Sequence, residues 1–252
     1  LPETFVNSPT LLHADETLDD LRLGGLKIIQ RRDGYRFSLD PILLCGFASF
    51  DGVEAAVDLG TGSGVIPLLL ARSSAATRIV GVELQAGLAD RARRSVALNG
   101  LAERVEIVEG DLRQLAGRLG AGSFELVLSN PPFRQRGSGK IAPEGERAAA
   151  RHELAGGLAD FLKAAALLLR PGGRCCLIYL AERLTDLLLE LRRAGLEPKR
   201  LRMVQSRAGE GARLALVEAR RGGRPGMVVE APLLIYEGDG YSAEVLAWYG
   251  EG

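Results

Sequence analysis

The string Ser129-Asn130-Pro131-Pro132-Phe133 carries the most pointed chemistry in the chain. Its paired prolines stiffen the backbone and remove two N–H donors, which leaves carbonyls available as acceptors. An amide or aniline-like nitrogen is a poor nucleophile because its lone pair is delocalised into the neighbouring π system. Holding its hydrogens on the Asn130 side-chain oxygen and the Pro131 carbonyl favours pyramidal geometry and aims the lone pair at an electrophile. Catalysis of this kind works by positioning and oriented dipoles, without an ionised base. Phe133 suits stacking on a planar group such as a base, a contact worth about 1–3 kcal/mol in single-strand binders. Asn130, Pro131, Pro132 and Phe133 are therefore the expected catalytic set. The competing reading, a rigid Pro-Pro loop, is weakened by the strand-like run that precedes it.

A second string, Asp58-Leu59-Gly60-Thr61-Gly62-Ser63-Gly64, gives the backbone freedom to turn sharply and lets a ligand approach the main chain. A glycine loop alone is weak evidence, because nicotinamide enzymes use one too. The dinucleotide pattern needs a glycine where Val65 stands, and no Lys-Ser/Thr pair follows to make a phosphate loop. The spacing Gly60, Gly62, Gly64 behind Asp58 points instead to S-adenosylmethionine. Glu83 ends the next strand-like run, where a carboxylate can accept both hydroxyls of an adenosine ribose. Asp111 ends the one after it and can accept a hydrogen bond from the adenine amino group. Three acids at consecutive strand ends form a nucleoside-shaped set.

Positioning these groups requires strands that alternate with helices. Strand patterns cover 53–59, 78–83, 105–108, 124–128 and 174–180, and helix patterns cover 65–71, 86–99, 157–169 and 184–194. Asn99-Gly100 and Pro171-Gly172-Gly173 supply stop signals. Later strand-like stretches lie at 213–219 and 226–235. Upstream, 26–38 reads as two short strands around an Asp33-Gly34 turn, and Asp40-Pro41 opens a helix reaching Phe50. The implied fold is α/β with a parallel sheet wound on both faces, and ligands then sit beyond the carboxyl ends of the strands. Residues 1–50 form an N-terminal extension with hairpin and lid motif; residues 51–252 form the main domain.

The chain of 252 residues has 32 basic and 32 acidic side chains, so indiscriminate nucleic-acid binding is disfavoured while a local basic face is allowed. Residues 134–151 and 183–224 are both net basic, which suits an anionic partner or, equally, a solvated helix face. Three cysteines, with Cys175 and Cys176 adjacent in an apolar run, read as reduced core residues rather than a disulfide framework. With only His13 and His152 and no CxxC pair, no metal site is expected. No apolar run approaches the roughly 20 residues of a membrane span. The start at Leu1 implies that leading residues are missing, and residues 1–10 lack a signal-peptide pattern. A cytosolic location is expected.

Asp58-x-Gly-x-Gly-x-Gly, Glu83, Asp111 and Asn130-Pro131-Pro132-Phe133, in that order, resemble the class I S-adenosylmethionine-dependent amino-methyltransferases. Tyr35-Arg36-Phe37-Ser38-Leu39-Asp40 is similar to their upstream motif over the methionine end of the cofactor. Arg151-His152-Glu153, Arg170-Pro171-Gly172-Gly173 and Leu234-Ile235-Tyr236-Glu237 resemble one subgroup, the bacterial tRNA1(Val) adenine-N6 methyltransferases. This resemblance runs from about residue 20 to 245. It implies a Rossmann-like class I sheet, mostly parallel with an antiparallel last strand, and methyl transfer to an adenine N6 in a tRNA anticodon loop. It implies cofactor contacts from Phe37, Asp40, Asp58, Gly60, Gly62, Gly64, Glu83, Asp111, Leu112 and Asn130, with S-adenosylhomocysteine as product. RNA contacts fall to Phe133, Arg134, Arg136, Arg200 and Arg202. The Asn-Pro-Pro-aromatic chemistry also serves N5 of a glutamine amide in a protein, or N2 of guanine in ribosomal RNA. Against the glutamine reading, the N-terminal region is short for a helical substrate domain and the loop ends in Phe. An RNA-binding protein that keeps the fold without activity is a further alternative. Arg151-His152-Glu153 reads more readily as a helix-capping cluster than as a base.

Overall fold

Apolar runs with opposite-facing neighbours become strands buried on both sides, and here they assemble a nine-stranded sheet. The computed structural model describes residues 12–33, 38–132 and 156–249. After a hairpin of β1 (Glu16–Asp20) and β2 (Lys27–Arg31), helix α1 (Asp40–Phe47) leads into the alternating unit. That unit runs β3 (Ala55–Leu59), α2 (Val65–Ser73), β4 (Arg78–Glu83), α3 (Ala86–Leu98), β5 (Val105–Glu109) and a short α4 (Ala116–Leu119). It continues through β6 (Phe124–Ser129), α5 (Leu158–Leu168), β7 (Leu169–Leu180), α6 (Leu184–Arg193), β8 (Leu196–Gln205) and β9 (Leu214–Arg221). Two-residue strands β10 (Val228–Val229), β11 (Leu233–Leu234), β12 (Tyr236–Glu237) and β13 (Gly240–Tyr241) precede a last helix, α7 (Ala243–Tyr249).

The strand order is β10-β8-β9-β7-β6-β3-β4-β5, with β11 also on β8. Strands β3 to β7 are mutually parallel, and β9 runs antiparallel between β7 and β8. The mostly parallel sheet with a reversed late strand agrees with the expected class I architecture. Alternation along each strand splits the core in two. Leu126 and Leu128 face α1, α2 and α3, while Phe124 and Val127 face α5 and α6. The hairpin belongs to the first of these cores, through Leu21, Leu23, Leu26 and Ile28. Its second strand donates the Ile29 amide to Ser95 Oγ on α3 at 3.0 Å.

The described hairpin is one the sequence reading did not name. Strand 27–31 pairs backward with 16–20, Glu16 opposite Arg31, while the turn and second strand read across Asp33-Gly34 fall largely on residues 34–37, outside the described residues. The turn lies at 21–26, where Gly24 and Gly25 take φ of 59° and 78° and the Asp20 carboxylate accepts the Arg22 amide at 2.7 Å. Acid Glu16 then lands beneath α3 and pairs with Arg94 through two 2.7 Å contacts. The expected break at Pro171-Gly172-Gly173 is instead a bulge inside β7, since the β6 register jumps from Phe124–Leu169 to Leu126–Arg174. Strand β8 and helix α7 had no counterpart in the sequence reading.

All three cysteines are free and buried. Burial pushes the Cys175 thiol up to about 12. Among the described residues, no helix is long and apolar enough to cross a membrane, and no group of His, Cys, Asp and Glu is placed to hold a metal ion.

Candidate active site

Strand β3 ends at Leu59 beside the ends of β4 and β6, with Leu59 opposite both Val82 and Ser129. The glycine turn leaves from this central point. Amides of Gly60 and Thr61 both donate to the Val82 carbonyl at 2.9 Å, which pins the turn to β4. Gly64 takes φ of 90° as the cap of α2, and a Cβ there would sit 3.1 Å from the Ala92 Cβ. Gly62 takes φ of 58° but has open space where its Cβ would go. The first geometry serves packing of the helix; the second leaves a free concavity at the loop's crest.

Glu83 closes this concavity. Its carboxylate accepts the Gly62 amide and the Gln85 amide, each at 2.9 Å, and it is 6 % exposed. Burial raises its pKa, and the backbone donors oppose the rise. Two carboxylate oxygens offer about four acceptor positions, so capacity remains for a diol. Asp58 is fully buried, and neither of its carboxylate oxygens reaches a hydrogen-bond partner. Its pKa is pushed up to about 7 by desolvation, with the nearby Thr61 hydroxyl opposing and the Glu83 charge adding to the rise. The Thr61 hydroxyl is also buried without a bonded partner. A buried carboxylate left unpaired is costly unless a cation or donor answers it. The residues present thus fit a ligand with a ribose diol and a cationic amino group, as S-adenosylmethionine has.

Asp111 caps the 3₁₀ turn Leu112–Gln114 by accepting the Arg113 amide at 2.9 Å, and it pairs with the Arg113 guanidinium at 2.5 Å. That guanidinium holds the Asp111 carboxyl below the usual range. The side chain expected to meet an adenine amino group is therefore also the anchor of an arginine. Leu112, 7 % exposed, packs with Val82 and Phe161 in the second core and walls the same edge.

Ser129 fixes the next element. Its hydroxyl donates to the Leu59 carbonyl at 2.8 Å, locking the end of β6 to the end of β3. Asn130 and Pro131 therefore leave the sheet beside the glycine turn. Asp40, at the first position of α1, donates its amide to Ser38 Oγ at 3.3 Å, and burial raises its carboxyl pKa more than the Ser38 and Asn130 side chains lower it. The sequence reading assigned Asp40 to the cofactor; the structure sets it near Asn130 as well. Ser129 and Thr61 were missed as site residues. Their only sequence signal is adjacency, inside the glycine turn and before Asn130.

Phe37, Phe133, Arg134, Arg136 and the Arg151-His152-Glu153 cluster lie outside the described residues, as does the basic segment 134–151. Arg200 and Arg202 are described, and both are paired with carboxylates of the chain. Arg200 bonds Glu230 at 2.7 Å and Glu218 at 3.0 Å and lies over the Phe47 ring at 4.4 Å. Its register partner is Glu218, itself opposite Cys176, which is opposite Leu128, so along the sheet Arg200 is level with Leu128 and Asp58 but separated from β6 by β9 and β7. Arg202 is held bidentately by Glu244 at 2.5 and 2.7 Å. Both guanidinium groups are committed to internal carboxylates and tie β8 to the chain that follows it.

Comparison with known proteins bears on what such a site belongs to. A sequence profile described as the methyltransferase small domain matches residues 43–185. The chain belongs to this family. Among curated relatives of this methyltransferase-domain chain, a protein of Porphyromonas gingivalis named tRNA1(Val) (adenine(37)-N6)-methyltransferase is 36 % identical over 160 residues. That match covers 61 % of this chain and 62 % of the relative. A protein of the same name from Aeromonas hydrophila is 34 % identical over 194 residues, 76 % of this chain and 79 % of the relative. The chain thus spans somewhat under two thirds of the first relative and more of the second. Among solved structures, a predicted O-methyltransferase from Agrobacterium tumefaciens superposes with a TM-score of 0.69 at 22 % identity, over 84 % of this chain and 96 % of that one. M. jannaschii TYW2, solved in complex with AdoMet, gives 0.56 at 15 % identity over 82 % and 85 % of the two chains. At such identities these two structures speak for the fold of the methyltransferase family alone.

Proposed function

We propose that the protein transfers the methyl group of S-adenosylmethionine to the N6 amino group of an adenine in tRNA, in the anticodon loop of a tRNA1(Val)-type substrate. The observation that carries this reading is the lock between Ser129 and Leu59, which sets Asn130 beside the glycine turn and the unpaired Asp58. Asp58, the glycine turn and Glu83 would hold the cofactor, with Asp111 and Leu112 at its base. When bound, the cofactor supplies an electrophilic methyl group on a sulfonium.

The residues of the chain then have definable tasks. Near the Asp40 carboxyl, an acceptor when ionised, Asn130 would turn its NH2 group toward α1 and its carbonyl oxygen away. That oxygen and the Pro131 carbonyl accept the two hydrogens of the substrate amino group. Positioning and fixed dipoles lower the barrier, and no side chain needs to ionise. A loop adenine is accessible to such a pocket because it can leave its stack at modest cost. The names and coverage of the relatives support adenine over guanine or a glutamine amide, which share the same acceptor geometry. Such a substrate places the enzyme in the cytoplasm.

Incubation with the cofactor and total bacterial tRNA, followed by nucleoside mass spectrometry, tests the reading. N6-methyladenosine is the expected product. Methyl transfer to protein with no modified nucleoside would overturn it.

A further inference from the structure

Three tyrosines make a ladder at one corner of the molecule. Tyr236 and Tyr241 stack with ring centroids 5.3 Å apart and planes 13° from parallel, and Tyr241 and Tyr249 follow at 5.6 Å and 17°. Tyr241 and Tyr249 pack against the core, whereas Tyr236 is 37 % exposed. The Arg207 guanidinium lies 5.6 Å from the Tyr236 ring centre and is held there by the Gly238 carbonyl at 2.5 Å. With Tyr241 stacked on Tyr236 and the Arg207 guanidinium over the same ring, the outer planar surface at this corner is the guanidinium backed by the ring, a pre-organised platform.

Its location gives it a purpose. The Tyr236 amide bonds the Ser206 carbonyl at 2.9 Å, immediately beyond the end of β8. Since β8 runs parallel to β6 and β7, the platform stands at the same sheet edge as Asn130. Strands β9 and β7 lie between β8 and β6, so three strand spacings, roughly 15 Å, separate them laterally. A flexible nucleic-acid loop can span that distance within a few nucleotides. Arg207 and Arg213, both exposed, make no ion pair with any described carboxylate. The same segments carry exposed Glu210, Glu237 and Asp239, so this part of the chain is not net basic and is better suited to a neutral aromatic base than to gripping phosphates.

We propose that Tyr236 and Arg207 form a stacking platform for an unpaired base of the RNA substrate, a few nucleotides from the adenine that enters the site. The inference rests on the RNA reading above. Two measurements on the full chain test it: anisotropy of a labelled anticodon stem-loop, and steady-state methylation of the same RNA. Tyr236→Leu should raise the stem-loop Kd and KM about tenfold, within the range found for removing one stacked base. The turnover number, cofactor affinity and melting temperature should stay near wild type. Tyr236→Phe should bind like wild type because the ring and not the hydroxyl is used, and Arg207→Ala should weaken binding severalfold. The salt dependence of binding should be the same for wild type and Tyr236→Leu, since no phosphate contact is lost. Wild-type affinity in both Tyr236→Leu and Arg207→Ala would overturn the platform while leaving the methylation reading intact. Tyr236-dependent stem-loop binding by an enzyme that methylates no RNA would uphold the platform and sink the reading. No stem-loop binding by wild type would sink both.

Discussion

Asp40, at the start of α1, lies near Asn130, at the end of β6, whose side chain lowers its pKa while burial raises it more. An ionised carboxylate only accepts, so a hydrogen bond between the two would select one of the two orientations of the Asn130 amide. Asp40 would then be a positioning residue for the group that meets the substrate. Asp40→Ala should lower the turnover number about tenfold or more, as loss of orientation does, with KM for RNA little changed. Cofactor affinity measured by calorimetry separates the roles: a loss that matches the fall in turnover would return Asp40 to the cofactor.

Asn130 itself follows directly on the Ser129–Leu59 lock at the end of β6. Asn130→Ala removes an oriented dipole from the reacting nitrogen. A drop in turnover of about 100- to 1000-fold is expected, the range seen when one such donor or acceptor is deleted elsewhere. Cofactor binding should remain, and its loss in this variant would show that the residue's role lies with the cofactor.

Asp58 makes the unliganded protein pH-sensitive. Its ordinary pKa of 3.8 is raised to about 7 in the fold by burial. Below pH 4 it is protonated in both folded and unfolded chains. Between pH 4 and 7 the unfolded chain loses this proton while the folded chain keeps it, so Asp58 subtracts increasing stability as pH rises, and the loss levels off above 7. Asp58→Asn should therefore raise the melting temperature at pH 8 relative to wild type, with the gap closing toward pH 4. The gain comes with weaker cofactor binding. A gap that does not depend on pH would rule out ionisation of this group as its source.

Glu16 behaves in the opposite sense. Its bidentate partner Arg94 lowers it from 4.5 to about 2, against the cost of burial. The stabilisation is full above pH 4.5 and is lost as pH falls toward 2. Arg94→Met would leave Glu16 beneath α3 with the His13 amide and only the longer 3.8 Å contacts of Arg91 and His13, at a cost of up to about 3 kcal/mol. Hydrogen exchange should show the β1–β2 hairpin opening first in this variant. Protection in the hairpin equal to that of wild type would mean that its apolar contacts with α3 suffice.

How far the sequence revealed this arrangement depended on the range of the interactions. Asp58, Gly60, Gly62, Gly64 and Glu83 were legible because turn chemistry and strand-end position are local, and the fold places them together as read. The β1–β2 pairing was not read because the stronger local turn signal lies at Asp33-Gly34, while the β1–β2 turn uses Gly24-Gly25 and an aspartate hydrogen bond. Strand β8 was missed because Lys199, Arg200 and Arg202 interrupt its apolar alternation, and only distant carboxylates neutralise two of them. A long-range ion pair leaves no mark on the local pattern. Thr61 was hidden in a similar way, since its significance lies in which buried atoms it faces.

Those same arginines yield the last prediction. The basic run 183–224 invites the idea that reversing Arg200 would weaken RNA binding. In the fold, Arg200 is the shared partner of Glu218, 7 % exposed by its side chain, and Glu230. Arg200→Met leaves Glu218 as a buried charge without its cation, at a cost of about 3–5 kcal/mol. The variant should melt at a lower temperature, while the fraction that remains folded binds RNA as wild type does with the same dependence on salt. Rescue should follow from the double change Arg200→Met with Glu218→Gln, which removes the unpaired charge. A stable Arg200→Met protein with a reduced salt slope would instead assign Arg200 to a phosphate.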